Sequence, residues 1–215
     1  MSRTSQIFVE GLSAHIIRRG VNRGAIYRDD FDRLAFLRLL ADAAADHGTS
    51  IHGYVLMDTH YHLLVTPRHE EALPETMKAL GDPYVRYYNW KHDRIGTLWS
   101  GRYRAIPIDT QPYWLMCLRY IEHNPVRAGM VTAPEEYRWS SYRAHAFGER
   151  ITWLVDHDVY RRLGASASER QAAYRMMCQG GLTDAELALQ RHPPPWRRQR
   201  DCEPGPSLTE SLSSA

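Results

Sequence analysis

Two short apolar runs, Ile51 to Met57 (IHGYVLM) and Tyr61 to Val65 (YHLLV), stand with little more than Asp58-Thr59 between them. Each is strand length, and both carry the β-branched and aromatic residues that suit a pleated surface. A link this short cannot carry a parallel crossover, so the runs can only fold back as an antiparallel hairpin, which Pro67 closes. A lone hairpin is at best marginally stable in water, so the rest of the chain must extend and cover the sheet.

The flanking segments supply both. Ser13 to Val21 (SAHIIRRGV) reads as a strand, with Asn22-Arg23-Gly24 as a turn signal. Asp29 and Asp30 can cap a helix whose Phe36, Leu37, Leu39, Leu40, Ala43 and Ala44 recur at helical spacing up to His47 and Gly48. After the hairpin, Pro74 suits a first helical turn, and Met77, Leu80, Val85 and Tyr88 continue the pattern to Trp90. Gly81 and Pro83 are expected to kink or break this second helix. Arg102 to Asp109 alternates like a strand. A helix opening at Pro112 must then end near His123, because Pro125 disfavours helix at the residue before it.

The order strand, helix, strand, strand, helix, strand, helix predicts an α+β fold. Its first six elements match a ferredoxin-like β-α-β-β-α-β unit, an antiparallel sheet with helices on one face, and a further helix follows. Residues 134–147 and 168–177 read as short helices behind the sheet. The predicted division is a catalytic domain over 8–145, a helical extension over 146–190 and a Pro- and Ser-rich disordered tail over 191–215. An apolar fraction of 43% is enough for one core. No run is long enough to span a membrane, and the start lacks a signal-peptide layout, so a cytoplasmic protein is expected. Cys117, Cys178 and Cys202 are odd in number and unclustered, which disfavours a disulfide framework or a cysteine zinc site.

Within this frame three features could carry chemistry. His60 and His62 are two apart in a strand, so both imidazoles project from one face and could grip a metal ion; the alternative is a half-exposed polar strand. Tyr120 and Asn124 are four apart on a helix and could present a phenol and an amide together; alternatively they are a core tyrosine and a turn residue. The third is charge. The net value of +2 suggests no polyanion partner, yet residues 84 to 127 hold Arg86, Lys91, Arg94, Arg102, Arg104, Arg119 and Arg127 against Asp93, Asp109 and Glu122. Residues 1 to 28 hold Arg3, Arg18, Arg19, Arg23 and Arg28 against Glu10 alone. Only Lys78 and Lys91 are lysines, and arginine forks two donors onto a phosphate where lysine is a point charge. Tyr84, Tyr87, Tyr88, Trp90, Trp99 and Tyr103 interleave with the basic stretch, a mixture that suits single-stranded nucleic acid or an ordinary solvated face over buried rings.

Taken together the motifs carry a resemblance. HIIRRGVNR at 15 to 23, YVLMDTHYHLL at 54 to 64, LWSGRY at 98 to 103, RYIEHNPVRAG at 119 to 129 and WSSY at 139 to 142 occur in that order. The chain resembles the single-tyrosine HUH transposases, and within them the REP-associated tyrosine transposase branch, over about residues 8 to 145. The resemblance implies that His60 and His62 are metal ligands, that Tyr120 is the nucleophile and that Asn124 supplies a third polar ligand. It implies a metal-dependent DNA strand transferase, with Mg2+ or Mn2+ as cofactor, that cleaves single-stranded, hairpin-forming DNA through a 5′-phosphotyrosine intermediate. The expected DNA contacts are Arg18, Arg19, Arg23, Arg86, Lys91, Arg102 and Arg104. A monomer is favoured over a dimer. The alternatives are a domesticated, non-catalytic DNA-binding protein or repressor and, further off, a replication-initiation nuclease. One departure stands out: the loop before the histidine pair, usually Met-Pro-Asn in this family, is Met57-Asp58-Thr59 here.

Overall fold

The structure is a computed structural model, described here over residues 9–191. In chain order the core elements are β1 (Ser13–Arg19), α1 (Asp30–Asp46), β2 (Thr49–Met57), β3 (His60–Pro67), α2 (Ala72–Lys91), β4 (Arg104–Ile108) and α3 (Gln111–Glu122). After them come α4 (Asn124–Arg127), α5 (Tyr142–Phe147), α6 (Asp158–Arg161), α7 (Ala167–Cys178) and α8 (Asp184–Arg191). The tail expected from residue 191 lies, past Arg191 itself, outside the described residues.

The expected α+β fold forms. The four strands make one sheet in the order β2-β3-β1-β4, and every neighbouring pair is antiparallel. That order is what the β-α-β-β-α-β connectivity demands: β2 and β3 pair as the hairpin, and each helix carries the chain across the sheet to the next strand. β1 and β3 share the centre, with His15 opposite Leu64, Ile17 opposite His62 and Arg19 opposite His60. Because side chains alternate, these six residues project from one face, while Ile16, Tyr61 and Leu63 project from the other.

Helices α1 and α2 cover that second face. Phe36 of α1 meets Tyr61 with ring centroids 4.9 Å apart and Tyr84 of α2 at 5.1 Å, and all three rings are fully buried. The start of α1 is fixed by Asp29, whose side chain accepts the Asp32 N–H at 2.9 Å. Contrary to expectation, α2 is not broken at Gly81 or Pro83. Proline there removes a single backbone donor, and the glycine has another purpose: a Cβ on Gly81 would lie 2.8 Å from the Arg18 guanidinium, which packs across the helix onto Trp99. The glycine makes room for that side chain.

Helix α3 covers the histidine face. It comes down closely on β2 at Gly53, where a Cβ would lie 2.6 Å from Leu118. Pro125 ends the helix as expected, at Glu122, and a separate turn, α4, begins at Asn124. Of the helical stretch expected over 134–147, only the ends are helical. The middle runs beside β2: the Leu56 N–H donates to the Trp139 carbonyl at 2.9 Å, and the Ser141 N–H to the Tyr54 carbonyl at 3.0 Å. Farther along, the Val155 N–H donates to the Ile51 carbonyl at 2.8 Å. The outer edge of β2 would otherwise expose unpaired backbone groups, and the C-terminal region satisfies them.

His52 joins this edge to the sheet. Its Nδ1 lies 2.8 Å from the Val155 carbonyl, which can only accept, so Nδ1 carries the hydrogen and Nε2 accepts from the Thr66 hydroxyl at 2.9 Å. Burial pushes its pKa down to about 4, the Val155 hydrogen bond opposing only in part. The unfolded chain, titrating near the ordinary value of about 6.5, therefore binds more protons than the native one between about pH 6.5 and 4. Stability from this residue is complete above that window and is lost as pH falls through it. Going from pH 7 to pH 4.5 should cost on the order of 2–3 kcal/mol through His52 alone. Urea unfolding of His52→Gln is expected to show a correspondingly shallower fall; an unchanged pH slope would assign the loss to other groups.

Candidate active site

The alternation of β3 places His60 and His62 on the face beneath α3, with ring centroids 5.0 Å apart. His62 is buried, and His60 is half-buried beside the exposed Arg19. Burial, reinforced by Arg19, pushes the His60 pKa down to about 4. His62 is driven well below the ordinary range by burial, then by His15, His60, Arg19 and Arg127. Both imidazoles are thus neutral near pH 7, the form that can ligate a metal. Each has one nitrogen already engaged: His60 Nδ1 with the Thr59 hydroxyl at 3.1 Å, and His62 Nδ1 with His15 Nε2 at 2.8 Å. Among the described residues neither Nε2 has a hydrogen-bond partner.

The α3 helix brings Tyr120 to the same place. Its ring meets His62 edge-on at 5.8 Å between centroids and His15 at 5.9 Å, and the Arg127 guanidinium lies 4.8 Å from the ring centre. Asn124, buried one turn on, donates its amide to the Tyr120 carbonyl at 3.0 Å, which leaves Oδ1 as its remaining polar atom. No group of three or more His, Cys, Asp or Glu side chains gathers at one point among the described residues. Any third protein ligand beside the two histidines would therefore have to be of another type, such as an amide oxygen. Two imidazoles and an amide oxygen, with positions left open, would take magnesium or manganese, although histidine would also accept zinc.

The basic residues separate by sheet face. Arg19 stands on the histidine face opposite His60, and Arg104 stands on the same face opposite Ile17, whose other neighbour is His62; both are exposed. Arg23 and Arg102 are exposed in the loops beyond β1 and before β4, and Arg86 is exposed on α2. Arg18 and Lys91 are not gathered with the histidines. Arg18 points to the opposite face, stacked 4.6 Å from Trp99. Lys91 sits between Asp29 at 2.7 Å and the fully buried Asp32 at 2.8 Å, which also binds His92 at 2.8 Å. Burial pushes the Asp32 carboxyl up, but Lys91, the Arg28 N–H and His92 together hold it below the usual carboxylate range. The aromatic stripe also resolves differently: Tyr84, Tyr88 and Trp99 are buried in the core and cannot stack on bases, although Trp90 is 82% exposed.

Sequence reasoning missed His15 and Arg127 as neighbours of the tyrosine. His15 opens the HIIRRG motif, but only the β1–β3 register shows that it meets His62. Arg127 is seven residues beyond Tyr120, a helical spacing that α4 preserves past the proline.

Comparisons with known proteins bear on the family and the fold. Residues 8–124 match the family model described as IS200-like transposase. A solved REP-associated tyrosine transposase, bound to a REP hairpin, shares 15% identity with a TM-score of 0.51, covering 73% of this chain and 93% of that one. A chain from Deinococcus radiodurans assigned as a candidate transposase shares 21% identity with a TM-score of 0.38, covering 64% and 98%. No curated protein matches at a significant level.

Removing the Lys91 ammonium would leave Asp29 and the buried Asp32 with less compensation. Lys91→Met is expected to lower stability by about 1–3 kcal/mol, less than for a fully buried pair because Lys91 is partly exposed and His92 remains. Urea unfolding at pH 7 checks this, and a neutral result would make the cluster incidental.

Proposed function

The chain belongs to the IS200-like transposase family, and from that premise we propose that it is a metal-dependent endonuclease and strand transferase acting on single-stranded DNA near hairpin-forming repeats. The observation that carries the reading is the meeting of Tyr120 with His62 and His15, a phenol brought by a helix onto the paired imidazoles of the central strand. The catalytic unit is proposed to span residues 8–145 and to work as a monomer in the cytoplasm. No helix among the described residues is long and apolar enough to cross a membrane.

In this reading His60, His62 and the Asn124 amide oxygen would hold Mg2+ or Mn2+, which when bound supplies Lewis-acid polarisation of the scissile phosphate. With His62 Nδ1 as the donor to His15 Nε2, His62 takes the tautomer whose Nε2 is free to ligate, and His15 would hold it there. Tyr120 would attack phosphorus in line. Its oxygen forms the new P–O bond as the 3′-oxygen leaves, and the phenol proton is exchanged for one on the released hydroxyl. A phenol is a weak nucleophile while protonated, and the Arg127 guanidinium over the Tyr120 ring places positive charge where negative charge develops. Arg19 and Arg104, exposed on the same face, would neutralise phosphates of the bound strand. The phosphotyrosine bond keeps the energy of the bond it replaces, so a second 3′-hydroxyl can reverse the step without ATP. No observation favours a purely binding role over this one.

Tyr120→Phe is expected to abolish a covalent adduct with a hairpin oligonucleotide in Mn2+ while leaving hairpin binding unchanged; an adduct that persists would remove Tyr120 from this role. His15→Ala should weaken Mn2+ binding about 10- to 100-fold, as losses of the partners that orient metal-bound histidines do, measured by titration calorimetry without DNA. Arg104→Gln should reduce the slope of log K against log salt for single-stranded DNA by about 0.7 if Arg104 contacts one phosphate. Lys91→Met should leave that slope unaltered.

A further inference from the structure

Helix α3 makes a second set of contacts on the side away from Tyr120. Glu122 is fully buried, and two residues along a helix is a rotation of roughly 200°, so the two side chains leave opposite sides of α3. Glu122 Oε1 accepts from the Ser141 hydroxyl at 2.5 Å and is engaged by His145 Nδ1 at 2.7 Å; Oε2 accepts from the Tyr174 hydroxyl at 2.5 Å. Ser141 in turn accepts the Tyr54 N–H of β2 at 2.9 Å. A continuous polar chain thus runs from the sheet through Ser141 and Glu122 into the helix. The helix returns to the sheet through Tyr120 at His62. This is where the Trp-Ser-Ser-Tyr motif at 139 to 142 and the Glu of the Tyr-Ile-Glu-His-Asn run meet. Arg119, the residue before Tyr120, is likewise held by Glu186 at 2.9 Å and by the Gly181 carbonyl.

We infer that Glu122 is a positioning residue for Tyr120: a buried tether to Ser141, His145 and Tyr174 that sets the rotation of α3 about its own axis. The apolar contact of Leu118 with Gly53 fixes how close α3 comes to the sheet, but such contacts have little directional preference. Three hydrogen bonds to one carboxyl are directional. With the tyrosine hydroxyl extending well beyond the helix backbone radius of about 2.3 Å, a rotation of about 20° would swing it by roughly 3 Å. Misplacement of about 1 Å can already cost on the order of 100-fold in rate. The hydrophobic alternative at position 122 would bury surface equally well without setting this angle.

The inference rests on Tyr120 being the nucleophile, and the test separates the two. Adduct formation on a hairpin oligonucleotide in Mn2+ is measured at single turnover for wild type, Glu122→Gln, Glu122→Ala, Tyr174→Phe and Tyr120→Phe, with hairpin Kd and thermal melting for each. Tyr174→Phe removes one hydroxyl and safeguards against a Glu122 variant that does not fold. The expected result is an adduct rate per folded molecule about 10- to 100-fold lower, with Kd unchanged and Glu122→Gln less impaired than Glu122→Ala. Independently of activity, the Tyr120 ring-carbon resonance of tyrosine-labelled protein, identified by its loss in Tyr120→Phe, should shift or broaden in Glu122→Gln. A lower melting temperature with an unchanged rate per folded molecule and an unmoved Tyr120 resonance would make Glu122 a structural residue only. A wild type that forms no adduct, or a Tyr120→Phe variant that does, would overturn the nucleophile reading itself and the inference with it.

Discussion

The antiparallel pairing of β1 with β3 is the interaction on which the rest of the structure depends. It brings together two strands separated in sequence by a helix and another strand, and it sets them at the centre of the sheet. A slip of one residue would turn every side chain of one strand to the other face. His62 would then leave His15, and the rings that meet α1 and α2 would face α3. The register is held by burial on both faces: Ile16, Tyr61 and Leu63 lie in one core, His15 and Leu64 in the other, and all are essentially inaccessible to solvent. Position of the candidate site and stability of the fold are therefore fixed by the same pairing.

Much of this was legible in the sequence because local signals and global order agreed. The hairpin was readable from two apolar runs and a link too short for anything else, and Asp29 and Pro125 marked helix ends through backbone chemistry that does not depend on packing. His60 and His62 could be assigned to one face from period alone. What stayed hidden depended on contacts between distant segments. Nothing near Lys91 in sequence reveals that Asp29 and Asp32 surround it, so it counted as a free cation. Nothing near Tyr84 and Tyr88 distinguishes core rings from exposed ones such as Trp90, because α2 carries apolar residues on more than one side, and Trp99 lies in a loop with no period to read. Gly81 looked like a helix breaker, since its reason, the Arg18 guanidinium, arrives from a strand some sixty residues earlier.

The two faces of the sheet divide the work. One is an aromatic core under α1 and α2, in which two hydroxyls are tied to backbone: Tyr84 donates to the Ile26 carbonyl at 2.6 Å and Tyr88 to Ala25 at 2.9 Å. The other face holds histidines packed against one another and against a tyrosine. Burying imidazoles together favours their neutral forms, the forms that the proposed metal ligation requires.

The hydrogen bonds of Glu122 bear on where this protein ends as a physical object. The match to the family model closes at residue 124, two positions after Glu122. Ser141, His145 and Tyr174, the donors that satisfy that carboxyl, all come later in the chain, as do the backbone groups that cover the edge of β2. A fragment cut at the limit of family likeness would keep both histidines and the tyrosine, yet expose a sheet edge and strand a carboxyl in an apolar setting. The reach of the family model and the reach of the hydrogen bonds thus draw different borders on the same chain, and the second extends at least to Tyr174.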